Sequence, residues 1–118
     1  MALPFAPGDN LIFQLESGYG LIRILHTEER AEGSVWHVSV YEDFYPDVET
    51  AEAALTEPSK LKVRNAHLAL TDHALSKTPA ARLSNHPVEE DELTAYRAWS
   101  VTGAPASDRS VLLMLGLR

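Results

Sequence analysis

Five histidines, His26, His37, His67, His73 and His86, are the side chains of this sequence best suited to proton transfer or metal binding. Their spacing is unhelpful to both. His67 and His73 stand six apart, whereas two zinc ligands on one helix face stand four apart. Asp72 adjoins His73, but no carboxylate falls at a recognised ligand interval, so no metal site is expected and the histidines read as surface or capping residues. A serine nucleophile would need a sharp elbow with a histidine and a carboxylate to serve it, and the sequence holds no Gly-x-Ser-x-Gly. Acids are plentiful without a spacing that singles out one pair as general acid and base. Gly18-Tyr19-Gly20 is not a phosphate loop: a strand follows it, where a helix N-terminus would have to converge on the phosphates. No cofactor is implied. A small enzyme with an unrecognised site stays open as an alternative, to be told by a pocket holding at least two histidines beside a carboxylate.

A different chemistry stands in Tyr41-Glu42-Asp43-Phe44-Tyr45-Pro46. Three aromatics and two acids occur together with no cation, directly after a strand. Aromatics there supply contact area at low entropy cost, and acids steer a basic partner. Tyr41, Glu42, Asp43, Phe44 and Tyr45 are therefore the candidate partner-binding residues. Phe44 or Tyr45 folding back over the end of the sheet is an equal alternative, and the two roles are compatible.

The elements that position this loop begin at Pro7-Gly8-Asp9. Apolar strands run from Asn10 to Glu16, Gly20 to Thr27 and Ser34 to Tyr41, joined by a glycine turn at 17–20 and by Ala31-Glu32-Gly33. In the third strand Trp36, Val38 and Val40 share one face, and Val35, His37, Ser39 and Tyr41 the other, where His37 reads as exposed. The first two strands are apolar on both faces, so they curl around a core or are covered by another element. Asp47–Leu55 reads as a short helix bounded by Pro58. Ser59–Arg64, with Lys60, Lys62 and Arg64 alternating against Leu61 and Val63, reads as an edge strand continued by Asn65–Thr71. Asp72–Lys77 fits a helical turn or a loop, and Ser76–Pro87 a surface connection. The clearest helix is Pro87–Ser100, with Glu89–Glu92 at its positive end and Leu93, Tyr96 and Trp99 in its stripe. Ser110–Leu115 reads as a buried last strand.

These elements make one α+β domain over residues 1–118: a strongly bent antiparallel sheet, an SH3-like half-barrel meander, with one or two packed helices. Its 118 residues suffice for one core, and a hydrophobic share of 45% is that of a globular chain. Cysteine is absent, as fits a reducing compartment. Met1–Phe5 lacks the basic and apolar regions of a secretory leader, and no apolar run approaches a membrane span, so a cytoplasmic protein is expected. Ten Lys and Arg against seventeen Asp and Glu give a net charge of −7, which argues against a nucleic-acid surface. Six of the acids lie between Glu42 and Glu57, a stretch without Lys or Arg.

The start Pro7-Gly8-Asp9-Asn10-Leu11-Ile12-Phe13, with Leu15, Gly18 and Tyr19-Gly20-Leu21-Ile22-Arg23-Ile24-Leu25, resembles immunity protein family twenty-six of bacterial polymorphic toxin systems. The resemblance covers about a third of the chain and departs over Asp47–Arg82. It implies a cytosolic protein that binds and neutralises a toxin and has no catalytic residues. Gly8-Asp9 and the Gly18-to-Ile22 pattern are also similar to the polymerase-interacting domain of CarD-type transcription regulators, without their basic DNA-contacting part. Strand addition to a free edge of the N-terminal sheet would mark that alternative.

Overall fold

The computed structural model describes residues 3–116; Met1 and Ala2, the first residues of the segment read against a leader, lie outside them. Strands β1 (Asp9–Leu15), β2 (Gly18–Arg30), β3 (Gly33–Tyr41), β4 (Val63–Thr71) and β5 (Ala80–Asn85) form one open sheet in the order β4-β3-β2-β1-β5. Every neighbouring pair is antiparallel. With helices α1 (Val48–Leu55), α2 (Asp72–Ser76), α3 (Thr94–Ser100) and α4 (Val111–Leu115), the architecture is α+β. Irregularities in register after Ile24, Asn10 and Val38 increase the local bend of the strands they interrupt. No helix of the described residues is long and apolar enough to cross a membrane.

The sheet has two unlike faces. Leu11, Phe13, Ile22, Ile24, Trp36 and Val38 fill the first, closed by Ala74 and Leu75 of α2 and Val111 of α4. On the second face Ile12, Leu21 and Tyr41 pack against Ala51 and Leu55 of α1, and the remainder is largely polar, with Asn10, Arg23, His37 and Ser39 beside Val35 and Ala69. The double-sided apolar character of β1 and β2 thus has the anticipated cause: another element covers them. α1 starts where Asp47 accepts the Thr50 N–H at 2.7 Å.

Four parts of the chain depart from the sequence reading. Residues 80–85, expected within a surface connection, are β5. The partner that recruits them is remote: Asn85 donates to Asp9 at 2.8 Å and Asn10 to Ser84 at 3.1 Å, so the β1 edge supplies what local propensity lacks. Residues 111–115, expected as a last strand, are helical. Ser110 caps them through the Leu113 N–H, Gly116 ends them at φ 68°, and the Leu and Met side chains between, which carry no branch at Cβ, favour the helix. The long helix expected from Pro87 begins instead as a 3-10 turn at Glu90–Leu93, in which Glu89 and Glu92 cap each other, and only then becomes α3. The cation-bearing strand is shorter than expected too, since Pro58–Lys60 is a 3-10 turn and β4 starts at Val63.

The glycines of the first hairpin divide their work. Gly18 has the positive φ of 154°. Gly20 instead lies opposite Phe13, whose ring occupies the space a Cβ would need. Gly20→Ala is expected to push that buried ring out of place and cost about 1–2 kcal/mol in urea unfolding; a loss below about 0.3 kcal/mol would mean the ring repacks freely.

Candidate functional site

The loop after β3 is held at both ends. Tyr45 and Tyr19 exchange two backbone hydrogen bonds of 2.8 Å, the Glu42 N–H donates to the Lys62 carbonyl at 2.8 Å, and Asp47 caps α1. This tether splits the five candidate residues. Tyr41, only 7% exposed, belongs to the second apolar cluster, and half-buried Tyr45 packs against that cluster. Burial pushes both phenols above the ordinary tyrosine range, helped at Tyr45 by the Asp43 carboxylate and at Tyr41 opposed by Arg23. Glu42, Asp43 and Phe44 point outward, Phe44 with 40% of its surface exposed. The acids of α1, Glu49 and Glu52, are exposed on the next element. Among the described residues none of Glu42, Asp43, Glu49 and Glu52 has an ion-pair partner, whereas Glu57 pairs with Lys60 at 2.7 Å.

The rest of the second face is a polar layer under a strap made of residues 86–100. Arg23 of β2 is its anchor. The side chain donates to both Glu92 carboxylate oxygens (2.5 and 3.2 Å), to the carbonyls of Gly8, His86 and Pro87 (3.0, 3.0 and 3.1 Å), and to Asn10 Oδ1 (3.2 Å). One buried guanidinium therefore ties the entry turn, β1 and the strap to β2. Burial alone would raise the Glu92 carboxyl, but the hydrogen bonds and charge of Arg23 together with the Glu89 N–H hold it below its usual range.

Beyond Arg23 lie the histidines. His37, expected at the surface, has no exposure at all, because Tyr96 and Trp99 of α3 lie over its ring at centroid distances of 4.4 and 5.0 Å. Its Nε2 is 2.6 Å from Glu28 Oε1 and its Nδ1 2.9 Å from His67 Nε2, while His26 stacks beside it at 6.0 Å. Burial keeps His37 below the usual imidazole range although Glu28 opposes this, and burial with the neighbouring His37 brings His67 down to about 4. With both rings neutral and Glu28 ionised, one proton arrangement satisfies the chain: His67 donates from Nε2 to His37 Nδ1, and His37 donates from Nε2 to Glu28. Three histidines thus meet beside a carboxylate, with the central ring fully covered and the outer two half-buried. Both nitrogens of the central ring are already engaged. Among the described residues no group of three or more His, Asp or Glu is arranged to hold a metal ion. His73 lies apart on α2, and His86 Nδ1 stands 3.2 Å from Asn10 Nδ2.

No family model matches this chain, and no curated protein or solved structure matches it significantly. In the sequence the loop at 41–45 stands out, whereas Arg23, Glu92 and Glu28 do not. One signal for Arg23 stands in the sequence, a lone cation inside the apolar run Leu21–Leu25, which needs acceptors if both faces of the strand are covered. The topology also bears on strand addition: β1 pairs with β5 and β3 with β4, so the N-terminal meander offers no free edge, and the sheet's edges are β4 and β5. Part of the β4 edge is itself taken, where Ser107 exchanges hydrogen bonds with Ala69 and Thr71.

Proposed function

We propose that this chain is a cytoplasmic protein-binding module with an SH3-like half-barrel sheet, and that it acts as an immunity protein by docking and neutralising a basic toxin. The observation that carries the reading is Phe44, exposed directly after Glu42 and Asp43, two acids without an ion pair among the described residues, on a loop fixed at both ends. A tethered aromatic loses little entropy on binding, and free carboxylates around it speed encounter with a cationic surface. Tyr41 and Tyr45 serve the same surface from beneath, holding the loop against α1. The reading needs no cofactor, no nucleic acid and no membrane, and the resemblance of residues 7–25 to immunity family twenty-six agrees with it.

The test is affinity capture from an extract of the source cells, comparing the native chain with Glu42→Lys/Asp43→Lys and with Phe44→Ala. Both variants change exposed side chains and should keep the native circular dichroism. The expected result is at least a tenfold drop in capture of a basic protein, with a steep dependence on salt for the native chain. Undiminished capture by both variants would remove the loop from the interface. Recovery of RNA polymerase subunits instead would turn the reading to the regulator family.

A further inference from the structure

The strap crosses the second face without closing it. Between the strap and residues 58–66 runs a groove of two joined clefts, ≈ 590 and ≈ 460 Å³, which share Tyr41, Val63, Asp91 and Glu92. Leu61, Val63 and Ala66 form one wall and Ala95 and Ala98 the other, with Val63 half exposed. The floor carries two hydroxyls, those of Tyr41 and Ser39, on side chains only 7% and 6% exposed. Neither has a hydrogen-bond partner among the described residues, although Arg23 beside them makes six contacts. Both residues line the groove, where the acceptors of a ligand can reach their hydroxyls.

The charge of the groove is one-sided. Glu92 is neutralised by Arg23, but Glu89 and Asp91 stand exposed on the rim without an ion pair among the described residues. Small and branched apolar walls, an acidic rim and hydroxyl donors on the floor match an extended peptide carrying lysine or arginine. The aliphatic stem would lie along Val63, Ala66 and Ala95, the cationic head would reach Asp91 and Glu89, and main-chain carbonyls would accept from Tyr41 and Ser39. We propose that this groove receives an extended basic segment of the protein partner, a second contact region beside the loop at 42–44. The proposal rests on the reading of the chain as a binder of basic protein.

An NMR titration of the full chain with the peptide acetyl-Gly-Lys-Val-Lys-Ala-Gly-amide, and with its counterpart bearing Glu for Lys, tests the groove apart from the loop. The Lys peptide should shift the amide signals of Val63, Ala66, Ala95 and Ala98, and the Glu peptide should not. Asp91→Lys combined with Glu89→Lys should weaken binding about tenfold and Tyr41→Phe about threefold. Glu42→Lys/Asp43→Lys should leave these shifts in place. Shifts confined to residues 42–45 would overturn the groove while leaving the loop reading intact. Equal response to both peptides, indifference to the rim reversal, or no shift by about 10 mM peptide would each overturn it as well. Groove binding alongside capture that ignores the Glu42/Asp43 reversal would retain the groove and discard the loop.

Discussion

Arg23→Met is expected to lower the unfolding free energy by about 3–5 kcal/mol, and the melting temperature by about 10–20 °C, as for any buried ion pair that loses one partner. Methionine keeps much of the apolar stem and removes every donor. The side chain of Arg23 is 6% exposed, and without it the Glu92 carboxylate, 27% exposed at the edge of the groove, keeps only the Glu89 N–H from the protein. The carbonyl of Pro87 and Asn10 Oδ1 lose a donor in the same stroke, while the Gly8 carbonyl keeps its bond from the His86 N–H at 2.9 Å. Lysine would not rescue the site, since a point charge cannot serve three carbonyls and a carboxylate in one plane. Glu92→Met together with Arg23→Met should recover part of the loss, because the double change leaves no charge buried alone. Urea unfolding of the three variants measures this, and amide exchange should rise first over residues 86–100. A loss below about 1 kcal/mol in Arg23→Met would show that the strap is held by its apolar contacts instead.

What was legible beforehand divides along the distance between cause and effect. β1, β2 and β3 were readable because alternation such as Trp36, Val38, Val40 against His37, Ser39, Tyr41 is written within one strand. α1 was readable from Asp47 and Pro58 at its two ends. β5 was not, because Ala80-Ala81-Arg82 has weak strand preference and its reason to be extended is the unpaired side of β1, some seventy residues earlier. The same holds for the polar layer. Periodicity placed His37 correctly on the face opposite Trp36, but a polar residue on a second face implies solvent only if nothing covers it. The cover is α3, whose stripe of Tyr96 and Trp99 was foreseen while its seat on the histidines was not. The loop at 41–45 was visible as a cluster of aromatics and acids. Which of its members turn inward depended on the Tyr45–Tyr19 backbone pair, a contact between segments that share no local pattern.

Acid should loosen this protein well before its carboxylates are titrated, and the histidine layer is the reason. An imidazole in the unfolded chain takes a proton near pH 6.5, whereas folded His67 does so only near 4, and His37 is shifted the same way. Between those values the unfolded state binds more protons, so stability present above pH 6.5 drains away as the pH falls toward 4. For His67 the ceiling is about 3 kcal/mol at roughly 1.4 kcal/mol per pH unit, and solvent at its half-buried ring brings the expectation to about 2 kcal/mol. The neighbours do not offset this. Glu28, opposed by burial but held low by its hydrogen bonds to His37 and Arg30, stays ionised through the window and keeps the proton on His37 Nε2; His26 and Arg30 on β2 and Arg97 on α3 add only positive charge. Tyr96 and Trp99 contribute rings and no counter-charge at this pH. Below about 4.5 the carboxylate itself adds to the loss, since its depressed folded pKa means that the unfolded chain again binds the proton first. Urea unfolding followed by tryptophan fluorescence at pH 7, 6, 5 and 4 measures the slope. His67→Gln, which retains an N–H for His37 Nδ1 and cannot ionise, should flatten it by at least half between pH 6.5 and 5 without a comparable loss at pH 7. Equal slopes in the two proteins would place the acid sensitivity outside this layer.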